Sequence, residues 1–454
     1  MLMRFRVANH ASLLAEQELS LVATDEHEDI AVTEVASAGV QVLPALAILG
    51  ANASGKSNVL KALAYMRHAV LESHARWLPD GGTSRTPFLL AAAGRAAPSA
   101  FAVDIALDGV HYEYGFEVDD RQVREEWLRS FPEGRPRRLF ERSVAEDGSS
   151  HYEYGPSFRG RKRLIEDVVR PNSLYLSAGA GNNHEVLRRI HRWFHRGLRV
   201  ALDANFAARI QETRRLWDES DLHRDRLRGL LQFADLGITD LSITEEEWDD
   251  ERARQVRSAM RVLVPEIPED EAIEVKPAPR IGFVHMAEGS PVTLDLADES
   301  NGTRTWAGLL GPVIGALQDG SLLVVDELDA RLHPHLAARL VALFQDPERN
   351  TSGAQLLFNT HDATLLAPQS EANLHRDQVY LAAKNPRTGA TELTALVDFK
   401  VRDGVENLEK RYLAGRYGAL PFFDEELLVG IGAKRGVDEA GQAARHEEAE
   451  REYA

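Results

Sequence analysis

The sequence predicts an α/β fold: a mixed, mostly parallel core sheet carrying a Gly-rich loop between a strand and a helix, joined to an antiparallel β subdomain and a helical insertion. Three observations predict it. The apolar run 42–49 passes directly into a Gly-rich turn and then into helical periodicity. Residues 98–155 alternate apolar and polar with period two. Two further apolar runs, 321–325 and 355–359, each end in polar residues suited to chemistry, as strands of a parallel sheet do.

The elements follow in order. RFRVANHASLLAEQELSLVA near the start alternates and reads as two strands leading into VLPALAIL, residues 42–49, a buried strand. After the turn, Val59, Leu60, Leu63, Met66 and Val70 recur at helical spacing. Within 98–155, Asp-Gly pairs at 108–109 and 147–148 mark hairpin turns of an antiparallel sheet. From about 183 to 262 the pattern turns helical and heavily charged, as in HEVLRRIHRWFHRGLR and ERARQVRSAMRVL, and reads as an arm or lid inserted in the fold. Strands return after 270, and the runs at 321–325 and 355–359 are expected beside 42–49 in one sheet. The boundaries are 1–155 for the first half of the core-sheet domain, 156–265 for the insertion, 266–432 for the second half and 433–454 for a polar tail. No internal repeat is visible.

Composition narrows the function. The chain has 454 residues, enough for a large domain and a second lobe, with 71 acidic against 53 basic residues and a net charge of −18. A surface that clamps nucleic acid throughout is excluded, so any such contact is local. Cysteine is absent, which removes disulfides, thiolate metal sites and Cys nucleophiles. MLMRFRVANH lacks a signal-peptide core, and the longest apolar stretches, such as Leu309 to Leu317, are too short to span a bilayer. A cytoplasmic protein without a membrane partner is expected.

Gly50, Ala51, Asn52, Ala53, Ser54, Gly55, Lys56 and Ser57 satisfy G-x-x-x-x-G-K-[ST], followed by Asn58. In that motif successive backbone N–H groups curl around phosphate oxygens at a helix N-terminus. Lys56 is expected to reach the β- and γ-phosphates of ATP, and the Ser57 hydroxyl to ligate Mg²⁺. A chance match in a chain this long has odds of about one in fifty. The plainer alternative is a Gly-Ser turn between a strand and a helix.

In Ser321-Leu-Leu-Val-Val-Asp326-Glu327 an apolar strand ends in two acids. Asp326 would hold Mg²⁺ and Glu327 would stand against the attacking water as general base. Adjacent carboxylates repel, so such a pair near a site needs cations to offset it. Apolar strands that merely end in exposed acids are common, and the phosphate loop is what favours the functional reading.

With these motifs the chain resembles the ABC-like ATPases of the RecF/SMC/OLD group within the AAA family, and among them the RloA/AbiLii-like ATPases of bacterial phage-defence and restriction loci. The resemblance runs over nearly the whole chain through GANASGKS, DESNGTRTW at 298–306, LLVVDELDARLHPHL at 322–336, FNTHD at 358–362 and YLAGRYGALP at 412–421. It implies an ABC-type ATPase head that works as a head-to-head homodimer, or a higher oligomer of dimers. Ser300, Asn301, Gly302 and Thr303 would touch the γ-phosphate held by the partner subunit, although they depart from the LSGGQ form; a Ser-capped helix start is the physical alternative. His361 resembles the switch histidine that senses the γ-phosphate, and Asp329 the acid of the loop communicating across the dimer. His333 reads equally as structural or functional. No convincing metal-coupling glutamine stands out, Gln122 being the nearest candidate.

Arg188, Arg189, Arg192, Arg196 and Arg199, interleaved with His191, Trp193, Phe194 and His195, could line one side of a helix to contact DNA or RNA phosphates, extended by Arg159, Arg161, Lys162 and Arg163. A solvated amphipathic helix with Trp193 and Phe194 turned inward is the alternative. No nuclease-type metal constellation follows His361, so the resemblance implies a separate effector, a nuclease or toxin such as an RloB-like protein. The expected function is that of an ATPase controlling such an effector. Two alternatives remain, a RecF-like DNA-repair or DNA-end-binding ATPase and a nucleotide-gated scaffold with negligible turnover.

Overall fold

A run of apolar residues with no polar face can be satisfied only where a sheet is covered on both sides, and every residue of Ala45–Gly50 is buried. The computed structural model describes residues 1–244, 249–263, 280–399 and 407–418, all within the unit Met1–Ala419. The expected tail, 433–454, lies outside the described residues.

The strands are β1 (Leu2–Ala8), β2 (Gln17–Ser20), β3 (Thr33–Val35), β4 (Val40–Val42) and β5 (Ala45–Gly50), then β6 (Ser99–Leu107), β7 (Val110–Val118), β8 (Val123–Phe131), β9 (Arg137–Val144) and β10 (Ser150–Tyr154). They continue with β11 (Leu198–Ala201), β12 (Ile238–Thr244), β13 (Arg280–Ala287), β14 (Ser290–Asp295), β15 (Leu322–Val325), β16 (Gln355–Thr360), β17 (Val379–Lys384) and β18 (Thr391–Ala395).

The core sheet has the order β11-β15-β16-β5-β17-β18. Its first five strands are parallel and β18 closes it antiparallel. The expected neighbourhood of 42–49, 321–325 and 355–359 is therefore present, as β5, β15 and β16. Leu46, Ile48, Leu322, Val324 and Leu357 join the helix Lys56–Glu72 in one hydrophobic cluster with β1 and β6 to β9. The helix Pro334–Gln345 packs on β5 and β16, and Asn301–Asp319 on β11 and β15.

The antiparallel sheet expected at 98–155 is larger than the periodicity suggested. Its order is β10-β9-β8-β7-β6-β1-β2, so the two N-terminal strands complete it. At the β6–β7 turn, Asp108 (φ 49) and Gly109 (φ 76) both take left-handed backbone, the requirement of a two-residue hairpin that follows the strand twist.

The segment 183–262 is not wholly helical. It contains β11, which pairs in parallel with β15 from Leu198↔Leu322 to Ala201↔Val325, and β12, which pairs with β13. One strand of the segment read as an arm is thus an edge of the core sheet. Four residues, Leu198–Ala201, are too few to declare a period of two. The helices Phe206–Glu219 and Asp221–Phe233 pack against Asn301–Asp319. Among the described residues no helix is long and apolar enough to cross a membrane.

Candidate functional site

The phosphate loop leaves β5 at its C-terminal end. A side chain at Gly50 would collide with the carbonyl oxygen of Ala382 on β17, and one at Gly55 (φ 100) with the Thr391 hydroxyl, so the loop lies too close to its neighbours for any residue but glycine. Thr391 Oγ1 donates to Ser54 O at 2.7 Å and pairs with Ser12 Oγ at 2.7 Å. Asn58 Nδ2 donates to the same Ser12 hydroxyl at 2.8 Å, so Asn58 braces the loop from its helix side. Asn52 and Ala53 lie exposed at the crest.

Lys56 is nine-tenths buried, and its Nζ donates to Gly50 O at 2.7 Å and Ala51 O at 3.0 Å. Burial lowers its pKa, while the carboxylates of Asp329, Glu327 and Asp326 act in the opposite direction. The three acids therefore lie within electrostatic reach of the loop lysine.

Asn359 ties the two halves of this arrangement together. Fully buried at the end of β16, it donates from Nδ2 to Asp326 Oδ1 at 2.6 Å and to Ser57 Oγ at 3.3 Å, while its Oδ1 accepts the backbone N–H of Glu327. Its carbonyl accepts Leu328 N–H at 3.1 Å. Glu327 takes φ 52, a left-handed conformation that costs a residue with a Cβ about 1–2 kcal/mol. The Asn359 contacts hold that turn, leaving Asp326 half-buried and Glu327 exposed. Sequence reasoning missed Asn359; its only signal was an amide closing an otherwise apolar strand in FNTHD.

His361 and Asp329 come together: Asp329 Oδ2 lies 2.9 Å from His361 Nδ1 and accepts the His361 backbone N–H at 3.4 Å. The imidazole stays exposed while the carboxylate is buried.

Ser300 caps the helix Asn301–Asp319, its Oγ accepting Thr303 N–H at 3.1 Å and lying 2.9 Å from Thr303 Oγ1. Gly302 passes so near Arg331 that a Cβ would lie 2.7 Å from the Arg331 carbonyl. A cavity of about 220 Å³ separates this helix start from the strand end, with Asn301, Arg304, Asp326, Glu327 and Arg331 on its walls.

ATP and Mg²⁺ fit these residues. Ser54 Oγ and Asp329 Oδ1 are buried with no hydrogen-bond partner, and the helix Lys56–Glu72 begins without a side-chain cap, leaving backbone N–H groups for an anion. A hydroxyl and a carboxylate joined through Asn359 form an oxygen donor pair of the kind Mg²⁺ takes.

Other expected residues lie apart. Gln122 sits in the β7–β8 turn, where Asp119 Oδ1 accepts its backbone N–H, and His333 caps the helix Pro334–Gln345. The arginine series does not share one helix: Glu185–Arg192 gives way to a π-turn at Trp193–Gly197 and then to β11. Trp193 and Phe194 are buried. Arg199 is withdrawn from any phosphate role, because it pairs with Glu212 and Asp319 and donates to Ser321 Oγ at 3.0 Å. Arg189 pairs with Asp108 at 2.5 Å. Arg188, Arg192 and Arg196 remain exposed, as do Arg159, Arg161 and Arg163, while the Lys162 ammonium lies 4.8 Å from the Tyr154 ring centroid.

A family model described as "AAA domain, putative AbiEii toxin, Type IV TA system" matches residues 46–367. None of the curated proteins matches the chain. Among solved structures, an Smc head bound to the C-winged helix domain of ScpA is similar at 14% identity and a TM-score of 0.41, covering 87% of this chain and 96% of that one. An SMC head domain from Thermotoga maritima is similar at 13% identity and 0.36, covering 88% and 99%. An Smc head with an extended coiled coil, bound to the C-terminal domain of ScpA derived from Pyrococcus furiosus, is similar at 13% identity and 0.35, covering 92% and 98%.

Proposed function

The chain belongs to the AbiEii-type AAA-domain family, and from that premise we propose that it hydrolyses ATP to ADP and phosphate in an ABC-type head-to-head dimer that controls a separate effector. The observation that carries the reading is Asn359, which joins the loop hydroxyl of Ser57 to the strand-end acid Asp326 and sets the turn of Glu327.

In this reading Lys56 and the loop N–H groups bind the β- and γ-phosphates. Mg²⁺ held by Ser57 and Asp326 would neutralise phosphate charge. Glu327, exposed beside them, takes the proton of the attacking water. His361, held at Nδ1 by Asp329, would offer its other nitrogen to the γ-phosphate. Ser300 to Thr303 of a second copy close over the nucleotide with a hydroxyl and helix-start N–H groups. Closure of the dimer is the signal passed to an effector, a nuclease or toxin such as an RloB-like protein, in an anti-phage role.

The test is turnover and assembly together. Lys56→Ala should bind no ATP, whereas Glu327→Gln should bind it, lose about 10²–10⁴-fold in phosphate release and accumulate an ATP-dependent dimer by sizing chromatography. Normal turnover in Glu327→Gln would remove the assigned base. A wild type that assembles with ATP but releases no more phosphate than Glu327→Gln would make the protein a nucleotide-gated scaffold.

A second reading, an ATPase acting on DNA in genome maintenance, is favoured by the exposed guanidinium groups of Arg188, Arg192 and Arg196. Neutralising all three should then weaken binding and flatten its salt dependence. Unchanged affinity would end that reading.

A further inference from the structure

At the end of the core sheet opposite the phosphate loop, two loops meet around imidazoles. Val379 of β17 pairs with Ala47 and Ala382 with Gly50, so about 10 Å of strand separates the entry to β17 from the loop glycine. At that entry stand His375 and Asp377; against them lie His27 and Asp29, from the connection between β2 and β3.

The side chains are arranged in two tiers. His375 Nε2 is 3.1 Å from Asp29 Oδ2, and the two imidazole rings meet edge-on with centroids 4.5 Å apart. One ligand atom from each of His27, Asp29 and His375 falls within 4.8 Å of the other two. Behind them Asp377, with a side chain only 1% exposed, places Oδ2 2.8 Å from His27 Nε2 and accepts Thr24 N–H at 3.1 Å. A neutral His27 that donates Nε2–H to Asp377 carries its lone pair on Nδ1. A carboxylate behind an imidazole is the support that metal-bound histidines have, fixing the ring and its tautomer.

We propose that His27, Asp29 and His375 form a binding site for a divalent first-row transition metal, Zn²⁺ being the best match, with Asp377 as the positioning residue behind His27. Two nitrogens and one carboxylate oxygen suit Zn²⁺ rather than Mg²⁺, which prefers an all-oxygen, largely hydrated shell. Tetrahedral Zn²⁺ bonds of about 2.0–2.2 Å set ligand atoms about 3.3 Å apart, and the His375–Asp29 pair, at 3.1 Å, is near that spacing. The remaining adjustment falls on the more accessible side chains, Asp29 at 53% and His375 at 31% exposure, while His27 at 3% stays fixed. Asp377 Oδ1 is buried without a partner, and a cation on the far side of His27 offsets that buried negative charge. The metal ties the 24–30 loop to the 373–378 loop and leaves a coordination position open to water.

Chelator-stripped full-length protein, titrated with Zn²⁺ against a chromophoric chelator in excess Mg²⁺, tests the site. Wild type should hold one tight equivalent and melt at higher temperature with it. His375→Ala and Asp29→Asn, both at accessible positions, should lose that equivalent. Asp377→Asn should weaken it about 10–100-fold, and His335→Ala, at the exposed His333–His335 pair, should keep it. A wild type with no tight equivalent overturns the proposal. So does wild-type Zn²⁺ affinity in His375→Ala and Asp29→Asn proteins whose circular dichroism shows them folded; the four residues would then be two hydrogen-bonded pairs that pin loops.

Discussion

Asn359 Nδ2 lies 2.6 Å from Asp326 Oδ1, and the same amide group accepts the backbone N–H of Glu327 through its oxygen. One buried side chain thus sets the direction of a carboxylate and the backbone of its neighbour, which stands at φ 52. Asn359→Ala removes both restraints. The left-handed turn, worth about 1–2 kcal/mol of strain, then relaxes and carries Glu327 away from the loop. Phosphate release should fall at least tenfold, with ATP binding changed far less, in a malachite-green assay paired with nucleotide titration. Equal losses of binding and turnover would reduce Asn359 to a folding role.

A buried carboxylate supports the scaffold. Glu126 on β8, with no exposed side-chain surface, accepts the N–H groups of Tyr175 at 2.6 Å and Leu176 at 2.8 Å and lies 3.9 Å from the Arg142 guanidinium. It is the acceptor for the start of the helix Tyr175–Gly181. Burial pushes its carboxyl pKa up, while Arg142 and the two N–H groups pull the other way. Glu126→Ala should cost about 3–5 kcal/mol in urea unfolding, since it removes the counter-charge of the buried Arg142 guanidinium and strands three donors, the Tyr114 hydroxyl at 3.1 Å together with the two N–H groups. Glu126→Gln, which keeps one acceptor oxygen, should cost less.

His10 carries a pH dependence. Burial beside Tyr65 and Phe101 lowers its pKa from 6.5 to about 4. The unfolded chain then binds the extra proton throughout that window, so stability is complete above pH 6.5 and declines as the pH falls towards 4. Between pH 7 and pH 5 this residue should account for about 2 kcal/mol of lost stability. Denaturant midpoints of wild type and His10→Phe at the two pH values check it, and parallel losses in both proteins would clear His10 of the effect.

Much of the site was legible before any coordinates. Gly50 to Ser57 is contiguous and strand-flanked, and Asp326 with Glu327 follow an apolar run, so short-range pattern was enough to nominate them. Asn359 was not legible, because an amide ending a strand is commonplace until a serine 302 residues away and an aspartate 33 away are seen to share it. For the same reason β11 was hidden in a charged stretch, and Arg199, grouped with its neighbours by spacing, instead spends its charge on Glu212 and Asp319.

By itself the sequence determined the local chemistry: which loop can wrap phosphate, which strands are buried, where hairpins turn. These depend on neighbouring residues and on backbone rules that act over a few positions. Only the tertiary structure decided which polar groups meet, because partners such as Asn359 and Ser57, or His27 and His375, are brought together by strand order in a twisted sheet. That order arises from the burial of distant apolar faces against one another, and no short stretch of sequence records it.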